Sequence, residues 1–157
     1  MDKRIKIIGR KAKEPVFTAS CLFTTAVHYY ETAALVQTNC PDVKGAPSLK
    51  WFKARYLLIG HAIETALKSF LFFNGRSMNN LKKKGHDLCK TLRDAKSKGF
   101  NILGVGEEKI IIDLNEHYFR KDFEYEEVDF SKLPRPLDLL ALTQKILGEV
   151  KRNLLKK

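Results

Sequence analysis

Cysteine is scarce in this 157-residue chain: Cys21, Cys40 and Cys89 are odd in number and lie far apart. That argues against a disulfide framework and against a zinc knuckle. No uncharged apolar run reaches the roughly 18 residues that a membrane span needs. The most apolar stretch, Ala54 to Phe73, carries Arg55, His61, Glu64 and Lys68 and reads as a buried bundle helix. The charged N-terminus has no apolar segment behind it, so no secretion signal is expected. A reduced, cytoplasmic setting without membrane contact is the resulting expectation. There is no internal repeat and no low-complexity tract. Catalytic signatures are missing too. No serine stands in a Gly-x-Ser-x-Gly elbow, and Gly104-Val105-Gly106 lacks both a third glycine and a Walker lysine. His28 and His117 have no acidic or thiol partner at metal spacing, so neither a metal ion nor a cofactor is expected.

What is present is apolar content and positive charge. The chain is 44% hydrophobic, enough for one domain with a single core and too much for a disordered chain. Its net charge is +11, unevenly distributed. Residues 1–13 carry +5, residues 76–98 carry +6 and residues 132–157 carry +5, whereas residues 107–129 carry −6. Separate basic and acidic faces are expected from this pattern. They are either simply solvated, or apposed across a dimer, or offered to a polyanion.

Periodicity predicts an all-α bundle of about five helices. Residues 1–15 read as a basic N-terminal arm and residues 16–157 as the bundle. Helical spacing of apolar residues runs from Val16 to about Thr38, and Ser48 is a plausible N-cap for a second helix ending at Asn74-Gly75. The segment from Gly75 to Gly85 shows no periodicity. A third helix starts near His86-Asp87, with Leu88, Leu92 and Ala95 inward. A fourth follows Gly106, with Ile110, Ile111, Leu114 and Tyr118 inward and Arg120-Lys121 closing it. From Phe123 to Phe130 the pattern changes to alternation, which predicts a short extended segment. Pro136 suits the first turn of the last helix.

Two clusters are candidates for function. His61, Glu64 and Lys68 fall within roughly 60° of one another on an otherwise apolar helix. Ionisable groups there must be paired, so they mark either a polar network or ligand site, or a partly exposed edge carrying an i,i+4 pair. In the second cluster, Gly85-His86-Asp87-Leu88, Asp87 is placed to cap a helix, and His86 follows Lys82-Lys83-Lys84. Together the two clusters offer imidazoles, a carboxylate, ammonium groups and free backbone N–H groups. Helix N-termini with nearby cations suit anions such as phosphate.

The run Arg55-Tyr-Leu-Leu-Ile-Gly-His61-Ala-Ile-Glu64-Thr-Ala-Leu-Lys68 resembles the second-helix signature of HEPN (higher eukaryotes and prokaryotes nucleotide-binding) domains. Gly85-His86-Asp87-Leu88 resembles an element of one bacterial branch, as does Tyr118-Phe119-Arg120 through Phe123-Glu124-Tyr125. The similarity covers roughly residues 50–155. It implies a helical bundle that commonly dimerises, with a link to RNA, nucleotides or a partner protein. The polar cleft it implies holds His61, Glu64, Lys68, Lys84, His86, Asp87 and Arg120. Many HEPN proteins are metal-independent endoribonucleases of toxin or defence systems that use an Arg-x(4–6)-His motif. Arg55 and His61 are the match here, in which Arg55 would hold the phosphate and His61 act as general base. In one straight helix that spacing puts them about 120° apart. A purely structural dimerisation domain is the third reading.

Overall fold

Helix α2 (Phe52–Phe73) is the axis on which the other elements pack. Phe52, Tyr56, Ile59, Ile63, Ala66, Leu67 and Phe70 repeat every three or four residues and are all buried, as are Ala62 and Leu71 beside them. By length and composition it is apolar enough to cross a bilayer, yet most of it lies inside the bundle. The structure is a computed structural model and describes residues 18–44, 48, 50–125 and 128–156. The basic arm expected over residues 1–15 lies outside the described residues.

Two long helices flank the axis. Helix α1 (Ala19–Asn39) approaches closely through Ala26 and Ala33, and Thr18 caps it by accepting from the Cys21 N–H at 3.0 Å. Helix α7 (Pro136–Leu154) buries Leu139, Leu142, Ile146 and Val150 along one stripe, and packs on both α1 and α2. Its one buried hydroxyl, on Thr143, donates to the Leu139 carbonyl at 2.7 Å and so is not orphaned. Along its length α2 is further covered by a short α3 (Met78–Lys83), by α4 (Leu88–Ser97), by α5 (Val105–Tyr118) and by a single turn, α6 (Asp122–Tyr125). Asp87 caps α4, accepting from the Lys90 N–H at 2.9 Å, and Glu107 reaches back to the Gly104 N–H at 2.8 Å to start α5.

The all-α architecture stands, with four corrections of detail. Ser48 does not cap α2. The helix starts behind Trp51, which has no capping side chain and sits in the left-handed region at φ 59°, while the Ser48 hydroxyl accepts from the Lys50 N–H instead. The stretch from Gly75 to Gly85 contains α3, capped by Ser77; at six residues it is too short to show a period. Helix α5 begins at Val105 rather than after Gly106, since the glycine at 104 serves as its N-cap. Where the expected extended segment is described, it begins as the helical turn α6 and ends in a 3₁₀ turn at Phe130–Lys132. Alternate residues of a strand share a face. Here Phe123 is 3% exposed and Tyr125 is 75% exposed, the opposition that two helical steps of 100° produce.

Candidate functional site

The polar groups on α2 face the start of α4 and the end of α5, and they converge on one carboxylate. Glu64 is 5% exposed. Its Oε1 accepts from Lys68 Nζ at 2.5 Å; its Oε2 accepts from the Tyr118 hydroxyl at 2.5 Å and lies 2.9 Å from His86 Nδ1. His61 Nδ1 is 2.7 Å from the Tyr118 oxygen and 3.9 Å from Glu64 Oε2. Lys68 also donates to the Gly85 carbonyl at 2.9 Å, tying the turn before α4 to α2. The four groups arrive from three separate parts of the chain.

Two local features make room for this arrangement. Gly60 has no side chain where the Tyr118 ring lies, and a Cβ built there would stand 2.4 Å from two ring carbons. Gly85 adopts φ 58°, a left-handed turn that presents its carbonyl to Lys68 and His86 to Glu64. Tyr29 of α1 packs on His61 with ring centroids 5.2 Å apart.

The electrostatics follow from the contacts. Burial alone would raise the Glu64 carboxyl, but the hydrogen bonds from Lys68 and Tyr118 outweigh it and hold the group below its ordinary range. Glu64 is therefore an anion that only accepts. Burial, reinforced by that anion, pushes the Tyr118 phenol far above its usual value, so its proton stays on and is donated to Glu64. The Tyr118 oxygen is then free to accept from His61 Nδ1–H, while His86 Nδ1–H donates to Glu64. Both imidazoles thus carry their hydrogen on the inner nitrogen, leaving Nε2 of each as an acceptor. Burial lowers the His61 pKa, with the Glu64 carboxylate opposing it and the Lys68 ammonium adding to it.

Not all of the residues expected at this site belong to it. His61, Glu64, Lys68 and His86 are brought together. Asp87 stays at the α4 cap, where Asn115 braces it at 3.4 Å. Lys84 pairs with Asp94 at 2.7 Å, and Asp94 is also held by Arg76 at 2.5 Å. Arg120 pairs with Asp122 at 2.6 Å, and the same carboxylate holds buried His117 at 2.9 Å. His117 therefore does have an acidic partner, five residues along.

Arg55 is far from the cluster in environment. It is fully buried, and donates to Gln37 Oε1 at 2.5 Å, the Cys40 carbonyl at 3.1 Å and the Ser48 carbonyl at 3.3 Å. Among the described residues it shares no hydrogen-bond partner with His61. Tyr118 is buried in the core, as its place on the inward stripe predicts, and its hydroxyl joins the cluster in addition. It sits on the inward stripe of α5, where a ring passes for packing, and only its hydroxyl reveals the second role.

Beside the cluster, Glu64, Thr65, Lys68, Leu81 and Lys82 line a cleft of about 210 Å³. His61 and His86 are partly open, with side chains 28% and 43% exposed. No family model matches the chain. No curated protein sequence matches it either. Among solved structures the chain is similar to the crystal structure of an archaeal HEPN homologue, at 16% identity and a TM-score of 0.55, covering 87% of this chain and 98% of that one. That likeness shows the fold: an all-helical, HEPN-like bundle.

Proposed function

We propose that this HEPN-like fold serves as a cytoplasmic, dimeric binding module for RNA or a nucleotide, engaged at the cleft beside His61 and His86. One observation carries the reading. A buried carboxylate holds the inner nitrogen of His86 directly and that of His61 through the Tyr118 hydroxyl, both imidazoles are partly exposed, and lysine-rich α3 borders the adjacent cleft. The outer nitrogens are acceptors suited to a ribose hydroxyl or a base N–H, and the ammonium groups of Lys82 and Lys83 suit phosphates. Residues 76–98, which hold most of these groups, carry +6.

The nuclease alternative requires an arginine and a histidine facing one phosphate. Arg55 is committed to the connection between α1 and α2, so this geometry lends that alternative no support. Binding of labelled single-stranded RNA and of ATP across a salt series tests the proposal. The RNA affinity is expected to fall with salt at a log–log slope of about −0.7 per phosphate contact. It should also weaken about tenfold in a Lys82→Glu, Lys83→Glu variant and in a His61→Ala, His86→Ala variant. Absence of RNA and nucleotide binding even at low salt overturns it, and RNA cleavage in EDTA that His61→Ala abolishes replaces it with the enzyme reading.

A further inference from the structure

We propose that His61, Glu64 and His86 form a binding site for a divalent transition-metal ion of the zinc class. The ligand atoms that these three side chains offer all lie within 4.8 Å of one another. Nitrogen and oxygen ligands about 2.0–2.1 Å from a tetrahedral zinc stand about 3.3 Å apart. The Glu64 Oε2 to His86 Nδ1 separation of 2.9 Å and the Glu64 Oε2 to His61 Nδ1 separation of 3.9 Å bracket that value. The remaining separation, between the two imidazoles, lies within 4.8 Å, so the rings must close by up to about 1.5 Å to complete a tetrahedral set, a movement open to partly exposed side chains.

The surroundings are those of a supported metal site. Glu64 presents Oε2 to the imidazoles because Lys68 holds Oε1, so the carboxylate is already oriented and already ionised. Tyr118 adds a hydroxyl 2.5 Å from Oε2 and 2.7 Å from His61 Nδ1, an outer-shell donor of the kind that fixes ligand orientation. In the metal-bound form each ring offers Nδ1 and carries its hydrogen on Nε2, the reverse of the tautomer selected by the hydrogen bonds alone. Neutral imidazoles and a carboxylate therefore take up the ion without net loss of protons. Three protein ligands leave a fourth position open to water or to an anionic oxygen. Lys68 opposes the ion electrostatically, so its ammonium tunes affinity downward.

This inference does not rest on RNA binding and stands or falls separately. Full-length protein stripped with EDTA is titrated with zinc, and with cobalt as an optical probe. The wild type is expected to bind one equivalent, to melt at higher temperature with zinc and to give a tetrahedral cobalt spectrum. His86→Ala and His61→Ala should each lose more than tenfold in affinity with unchanged circular dichroism. His28→Ala should bind as the wild type. No saturable zinc binding in the wild type overturns the inference. So does equal binding by the His86→Ala and wild-type proteins.

Discussion

Arg55 heads the fully buried side chains of this protein by volume, and its position explains why it is not part of the cleft. A buried guanidinium must be paired, and Asp42, 4.0 Å away, is the carboxylate described near it. Most of its compensation comes from Gln37 and two loop carbonyls, which fasten the connection between α1 and α2. The Arg55 backbone N–H also donates to the carbonyl of Trp51, whose left-handed backbone costs on the order of 1–3 kcal/mol in a non-glycine residue. Replacing Arg55 with Met is expected to destabilise the protein by about 3 kcal/mol, because the partners lose their donor while buried. Chemical denaturation measures this. A loss well under about 1 kcal/mol would mean that the clamp is dispensable. His61, by contrast, is partly open and its neighbours are polar, so the two residues that one sequence motif links have different physical roles.

At the scale of elements, α2 and α5 meet at a glycine. Ala is normally the better helix former by about 1 kcal/mol, so a buried helical glycine invites the question of what it makes room for. Gly60 makes room for the Tyr118 ring, whereas Gly106 has nothing within 4 Å of where a Cβ would be. The two Gly→Ala substitutions are therefore expected to differ in sign. Gly106→Ala should stabilise by about 0.5–1 kcal/mol. Gly60→Ala should destabilise by about 1–3 kcal/mol, since Tyr118 must shift in a packed core and withdraw its hydroxyl from Glu64 and His61. Thermal unfolding of the two variants side by side provides the comparison, and equal effects would refute the close-approach argument. The helices themselves were legible in sequence wherever apolar residues kept a 3.6-residue period over several turns, as in α2, α4 and α7. Legibility failed at α3 and α6, which at six and four residues hold too few repeats for a period. The Phe123-Glu-Tyr125-Glu alternation was misleading because two polar residues in four can arise in either geometry.

At the scale of the whole molecule, two carboxylates each gather two basic side chains from separate positions. Asp94 joins Arg76 and Lys84, while Asp122 joins Arg120 and His117. For Asp94, burial works to raise the carboxyl, but the hydrogen bonds from Arg76 and Lys84 prevail and hold it below its ordinary 3.8. A depressed folded-state pKa means that this stabilisation is fully present above the ordinary aspartate range and is lost as pH falls through the folded value. Asp94→Asn is thus expected to cost about 1 kcal/mol near neutral pH, with the difference from wild type shrinking once the pH drops below about 4. Denaturation at a series of pH values tests this; a difference that is constant with pH would show that the effect is not ionic. Such ion pairs use acidic groups already counted in the +11 total, so the excess of positive charge remains, and α3 brings Lys82 to the edge of the cleft.

The amino-acid sequence by itself determined that this chain forms helices around one apolar axis, because periodicity is a local property that each segment carries in its own residues. It also determined that His61, Glu64 and Lys68 share a face of α2, since a helix converts spacing along the chain directly into angle. Only the tertiary structure decided that His86 and Tyr118 complete the cluster while Arg55, Lys84, Asp87 and Arg120 serve elsewhere. Those assignments depend on contacts 22 and 54 residues apart along the chain, between Glu64 and each of these two partners. No local pattern encodes such distances. They are set by how the start of α4 and the end of α5 dock on α2, with Gly60 leaving the space and the left-handed turn at Gly85 aiming the imidazole.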